Sequence, residues 1–162
     1  MSPRSPASKV LTREEVVHRY GPGRPGAVVF TNGCFELLHA GHVSYLERAR
    51  SLGDALVVGV NTDASARRLE KGAGRPIVPE HERALLVAAL ESVDAVSLFD
   101  EDTPAELIRA LLPAVLVKGA DWAAEDVVGR DVVEAAGGRV ELVPLVEGRS
   151  TSGLMARIRG DA

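Results

Sequence analysis

The feature that most limits what this chain can fold into is an alternation. Short, β-branched apolar runs recur along it, with helical stretches between them. Residues 27–31 (AVVFT), 55–60 (ALVVGV), 95–99 (AVSLF), 115–118 (VLVK) and 140–143 (VELV) read as five strands. Each is almost continuously apolar, as strands covered on both faces of a parallel sheet are. The stretches between them are long enough for right-handed βαβ crossovers. The pattern therefore predicts an α/β fold: a doubly wound, Rossmann-like, five-stranded parallel sheet with helices on both faces.

The intervening segments carry helix signals. Thr12 and Glu15 form a capping box for a helix running to Tyr20, stopped by Gly21 and Pro22. Residues 42–52 place Val43, Leu46 and Ala49 on one face. Asp63 can cap a helix over 64–70, and the apolar stretch 80–91 reads as a buried helix. Thr103, Pro104 and Glu106 mark another N-terminus, with Leu107, Ile108, Leu111 and Leu112 facing inward and Pro113 ending it. A helix over 125–136 stops at Gly137 and Gly138, and a last one begins near Ser150.

A chain of 162 residues suits one domain. It spans 27–162, preceded by a loose tail and short helix over 1–26. A hydrophobic fraction of 46% excludes disorder. The net charge of -4 argues against a face that neutralises nucleic-acid phosphates. It leaves room for a small phosphorylated ligand. The single cysteine, Cys34, excludes an intrachain disulfide and a cysteine-only zinc site. No apolar run approaches the ~18 residues of a membrane span. With no signal peptide in the polar start, these absences predict a cytoplasmic protein. Its oligomeric state is open, with a homodimer as one possibility.

Ligands of open α/β sheets bind beyond the carboxyl ends of the strands. After the first predicted strand comes Asn32-Gly33-Cys34-Phe35-Glu36-Leu37-Leu38-His39-Ala40-Gly41-His42. Histidines flank a glycine where a helix begins. The helix start offers unpaired N–H groups and a positive dipole end, and imidazoles there can donate to phosphate oxygens. A surface histidine and a helix cap are the plainer reading. Zinc ligation would need a third ligand and a different spacing, so no metal site is expected. Lys118 ends the fourth predicted strand on the same edge. Lys71 and Arg75 stand in a glycine-rich loop able to fold over phosphates, or simply exposed to solvent. Arg149, Ser150, Thr151 and Ser152 precede the last helix, as a phosphate cradle, an ordinary cap, or both.

The stretch GCFELLHAGH resembles the HxGH signature of the cytidylyltransferase-like nucleotidyltransferases. VVGVNTD, RPIVPEHERALLVAALESVDAV, FDEDTP, VLVKGADW and RSTS follow in order. Together they are most similar to the D-glycero-β-D-manno-heptose 1-phosphate adenylyltransferases, in a stand-alone form without the kinase that is often joined to them. The resemblance implies attack of a sugar 1-phosphate on the α-phosphorus of ATP, with Mg2+ on the triphosphate. It makes His39, His42 and Lys118 the catalytic group. It implies nucleotide contacts at Thr31, Asn32, Gly33, Cys34, Phe35, Gly41, Gly119 and Asp121, with Lys71, Arg83 and Arg149 to Ser152. Glu36, Asn61, Asp63, Arg75 and Trp122 become substrate contacts. Asp63 can also be only a helix cap, and Asp121 and Trp122 a turn and a packing residue. The family usually has aspartate where this chain has Glu36. The acidic run Asp100-Glu101-Asp102 reads as structural. Other readings are a cytidylyl- or adenylyltransferase for glycerol phosphate, another sugar phosphate or a flavin, and a non-catalytic nucleotide-binding module.

Overall fold

The computed structural model describes residues 2–69 and 71–161. The strands β1 (Val28–Gly33), β2 (Ala55–Asn61), β3 (Ala95–Phe99), β4 (Val115–Gly119) and β5 (Arg139–Val143) form one sheet in the order β3-β2-β1-β4-β5. All neighbours run parallel. The chain steps from β1 outward to β3, then crosses back to lay β4 on the other side of β1. The strand order reverses between β1 and β4.

The helices are α1 (Arg13–Tyr20), α2 (Ala40–Arg50), α3 (Asp63–Arg68), α4 (Glu80–Ala88), α5 (Ala105–Leu111), α6 (Arg130–Ala135) and α7 (Thr151–Arg159). Side chains alternate across β1 and divide the core into two layers. Val29 joins Leu46 and Ala49 of α2 and Ala84, Val87 and Ala88 of α4. Val28 and Phe30 join Val16 of α1, Leu107, Ile108 and Leu111 of α5, and Val133 of α6. Helices thus cover both faces, as the continuous apolar strands predict. Fully burying each leucine or phenylalanine of these layers contributes about 1.5–3 kcal/mol.

Several boundaries differ from the sequence reading, each for a local reason. The N-terminal segment is docked, not loose: Leu11 N–H donates to the Val96 carbonyl at 2.8 Å, and Lys9 Nζ reaches the Val93 carbonyl at 2.8 Å. Helix α2 starts two residues before the expected position because His39 caps it, and Val43 points outward, 38% exposed. Thr62, not Asp63, caps α3; position 70, the expected end of that helix, lies outside the described residues. The α4 stretch ends at Ala88 and buries only one side, leaving Leu85 and Leu86 exposed. Pro104 is the N-cap of α5, with Thr103 Oγ1 accepting from Ala105 N–H at 3.4 Å. Leu112 ends α5 in the left-handed region and does not join the inner face. The expected helix over 125–136 is broken into a short 3-10 turn, Ala124–Asp126, and α6, with Gly129 at φ 88° between them.

Backbone pairing is uneven. Between β1 and β2 it extends from Val28↔Ala55 to Gly33↔Val60. Between β1 and β4 it covers only Val29↔Val115 and Phe30↔Leu116. Beyond Phe30 the neighbours diverge, and side chains span the gap. Thr31 Oγ1 donates to the Val117 carbonyl at 3.0 Å, and Lys118 Nζ donates to Asn32 Oδ1 at 2.7 Å. The divergence opens a crevice at the carboxyl end of the sheet. Among the described residues no helix is long and apolar enough to cross a membrane.

Candidate active site

The crevice is a cleft of about 320 Å³ at the reversal point of the sheet. Its floor is the end of β1 and the following loop, Asn32 to Glu36. One wall is the first turn and a half of α2, with His39, Gly41, His42 and Tyr45. The opposite wall is the end of β4 with Lys118, Gly119, Asp121 and Trp122. Leu145, Val146, Arg149, Ser150 and Thr151, before and at the start of α7, form the rim, and Lys71 and Arg75 reach in from the loop after α3.

His39 and His42 fix one another. The Nδ1 of His39 accepts the Gly41 N–H at 3.1 Å, and the Nδ1 of His42 accepts the His39 N–H at 3.3 Å. The rings stack with centroids 3.9 Å apart. A ring nitrogen that accepts carries no proton, so each neutral imidazole holds its hydrogen on Nε2. Burial and then the neighbouring His39 lower His42 to about 4. Burial and then Arg149 lower His39 as well. Both rings are thus neutral donors at neutral pH. Gly41 is required by close approach: a Cβ there would lie 2.8 Å from the His39 ring and 3.1 Å from the Cβ of Arg149. Phe35, with φ 50°, turns the loop so that its ring packs 5.2 Å from His42.

Lys118 is held by Asn32 and lies 5.4 Å from the centre of the Trp122 ring. Burial lowers its pKa to about 8, with Asp121 and Cys34 acting the other way. It remains mostly a cation at pH 7. Ser150 caps α7 by accepting the Gly153 N–H at 3.0 Å, and Thr151 Oγ1 donates to the Leu37 carbonyl at 3.4 Å. Two helix N-termini, α2 and α7, therefore meet at one end of the cleft, each a place where anions are favoured. Cations and neutral N–H donors dominate that end.

The loop after α3 is tied down. Arg75 Nε donates to Glu36 Oε2 at 2.6 Å, and Arg75 Nη1 to the Lys71 carbonyl at 3.0 Å. The Glu36 side chain is 2% exposed. Its Oε2 is taken by Arg75, so Glu36 anchors the loop. Lys71 Nζ sits 3.7 Å from Cys34 Sγ.

Some expected contacts lie elsewhere. Arg83 is fully buried outside the cleft lining. It donates to the carbonyls of Val78 (2.8 Å), Cys34 (2.6 Å) and Asn61 (2.9 Å) and to Asp63 (2.7 Å). It is a clamp that shapes the loop from behind, because a buried guanidinium needs acceptors on every side. Asn61 donates to Ser65 at 2.9 Å, and Asp63 pairs with Arg83; neither lines the cleft. Thr31 is buried beneath it. Ser152 faces a separate groove between α7 and the loop after α3. The acidic run is structural: Asp100 accepts from Thr62 at 2.6 Å, Glu101 pairs with Arg13 and Asp102 with Arg68. Tyr45, Leu145 and Val146 line the cleft without having been singled out in the sequence. Tyr45 stands three residues past His42 on the same helix, a spacing that places both on one side.

Residues 30–149 match the profile of the cytidylyltransferase-like family. The chain is 63% identical over 153 residues to the bifunctional protein HldE of Citrifermentans bemidjiense, and 57% identical over 157 residues to that of Syntrophotalea carbinolica. Each match covers 93% of this chain and 31% of the relative, so the chain spans about a third of the length of those proteins. A lipopolysaccharide core biosynthesis protein of Thermoplasma volcanium superposes with a TM-score of 0.63 at 29% identity, over 77% of this chain and 100% of that one. Pantoate-beta-alanine ligase of Francisella tularensis, at 12% identity and a TM-score of 0.58 over 88% of this chain and 68% of its own, shares the fold alone. With a profile match over most of its length, and with the histidine pair at the reversal point of the sheet, the chain belongs to the cytidylyltransferase-like family.

Proposed function

We propose that the protein is a nucleotidyltransferase that moves the adenylyl group of ATP onto D-glycero-β-D-manno-heptose 1-phosphate, forming ADP-heptose and pyrophosphate. The observation that carries the transferase reading is the pair of neutral imidazoles, locked with Nε2–H free at the N-terminus of α2 and faced by Lys118. A phosphate oxygen of the sugar attacks the α-phosphorus. The bond from that phosphorus to the bridging oxygen breaks, and pyrophosphate leaves with the electron pair. The nucleophile is already ionised, so no general base is required. Negative charge grows on the α-phosphate oxygens and the leaving group. Fixed donors that meet it there stabilise the transition state more than the ground state. His39, His42, Lys118 and Arg149 supply them, while the starts of α2 and α7 and the tied loop carrying Lys71 align the triphosphate.

The substrate is ATP carrying magnesium. Among the described residues no three His, Cys, Asp or Glu side chains converge into a metal cage. Magnesium would keep most of its water and be held chiefly by the phosphates. The heptose assignment rests on the ordered motifs and on the HldE relatives at 57–63% identity. Pyrophosphate release from ATP or CTP with a panel of sugar, glycerol and flavin phosphates tests it. Release with ATP and the heptose 1-phosphate is expected. Release with CTP and glycerol phosphate alone would overturn it.

A further inference from the structure

Most polar groups around the cleft donate. His39, His42, Lys118 and Arg149 offer hydrogens, and so do the two helix starts. The acceptors are few. Glu36 Oε2 is taken by Arg75 and Asn32 Oδ1 by Lys118, which leaves the Asp121 carboxylate and Tyr45. Tyr45 is different. Its Oη lies 2.9 Å from Thr31 Oγ1, and the Thr31 hydroxyl donates to the Val117 carbonyl at 3.0 Å. A threonine hydroxyl has one hydrogen; with that hydrogen on the Val117 carbonyl, Tyr45 is the donor of the pair. Its own hydrogen is then spent on the buried side. Burial raises Tyr45 to about 12; the Thr31 hydrogen bond acts the other way and Asp121 adds to the rise, so the phenol stays neutral. What Tyr45 has left for the cleft is a lone pair.

A lone pair beside the Asp121 carboxylate repels phosphate oxygens. It calls for a hydroxyl. Tyr45 lies about 4.5 Å further along the helix axis than His42, away from the N-terminal end that favours anions. The cleft is thus divided into a donor end for phosphates and a corner near Lys118 where Tyr45 and Asp121 can accept. Resting on the adenylyl-transfer reading, we propose that Tyr45 is a specificity residue whose phenol oxygen accepts a hydrogen bond from a hydroxyl of the acceptor sugar. A ribose hydroxyl of the nucleotide offers the same chemistry, and the test separates the two.

Tyr45→Phe keeps the ring and its packing. Three quantities are measured on it and on wild type: kcat/KM for the sugar phosphate at saturating ATP, ATP affinity by calorimetry without the sugar, and the melting temperature. The expected result is a fall of about three- to tenfold in kcat/KM for the sugar phosphate, with ATP affinity unchanged. A deoxy sugar phosphate lacking the contacting hydroxyl should be used equally by both proteins. If Tyr45→Phe does not fold, Thr31→Val serves. It removes the fixed acceptor for the Tyr45 hydrogen, lets the phenol rotate, and should lower kcat/KM for the sugar in the same direction. A folded variant with unchanged kcat/KM for the sugar overturns the assignment. A loss of ATP affinity without the sugar overturns it too, by giving the hydroxyl to the ribose. A wild type that releases no pyrophosphate from ATP with any sugar phosphate overturns the activity itself, and this assignment with it.

Discussion

At His39 and His42 each ring divides its two nitrogens between fold and cleft. Nδ1 closes the first turn of α2, and Nε2–H remains for a ligand. The sequence marks both positions but not this double use, which depends on a torsion no spacing reveals. Alanine at either position should cost turnover by about 10²–10³-fold. It should also cost about 0.5–2 kcal/mol of stability, as the loss of a cap does. His39→Asn separates the roles: an amide oxygen can cap as Nδ1 does, yet cannot reach where Nε2 reaches. Melts should show stability near wild type, and steady-state kinetics the full loss of turnover. The pH dependence follows from the direction of the His42 shift. Its folded pKa, about 4, lies below its unfolded value of 6.5, so the unfolded chain binds the extra proton between them. This contribution to stability is complete above pH 6.5 and is lost as pH falls toward 4. Denaturant midpoints at pH 7 and pH 5 should differ in that sense, and nitrogen chemical shifts should show His42 still neutral at pH 5.5. A midpoint of titration near 6.5 would contradict the stacked, capping geometry.

Among the elements, the strands were the most legible, because burial on both faces leaves little room for polar residues. All five expected runs overlap the observed strands within two residues at each end. Helices with both a cap and a stop, such as α1, were equally clear. The departures have different causes. At α6 an apolar periodicity continued through Gly129, whose φ of 88° interrupts the helix; only glycine suits that position, because its φ is left-handed and a Cβ there would strike Ile108 at 2.8 Å. Arg83 misled for the opposite reason. A charged residue on a helix reads as solvent-facing or ligand-facing, and nothing local announces that carbonyls from three separate segments converge on it. Its position predicts a large effect. Arg83→Ala leaves Asp63 and buried carbonyls without a partner and should destabilise the fold by about 3–5 kcal/mol, read from urea unfolding. Arg83→Lys should recover only part, since one ammonium cannot replace a planar fork. Variants of near-normal stability that fail only to bind ATP would instead make Arg83 a ligand.

For the whole molecule, the cleft depends on strand order. Motifs far apart in sequence, near residues 39, 118 and 149, meet only because β4 returns to the side of β1. Ligand binding there should stabilise all of these segments together. ATP at about 100 times its dissociation constant should add about 2.7 kcal/mol to the unfolding free energy, seen as a rise in melting temperature. An unchanged melt would place the nucleotide elsewhere, and a rise with CTP alone would favour a cytidylyl donor.

The short ladder between β1 and β4 has one more consequence. Backbone rungs are the same for every sequence, whereas the last ties across this gap are Thr31 to Val117 and Lys118 to Asn32. The gauge of the cleft is therefore written in residues that single substitutions can change, on a chassis whose two core layers do not depend on them. A lineage can retune what fits between β1 and β4 one side chain at a time and keep its fold throughout.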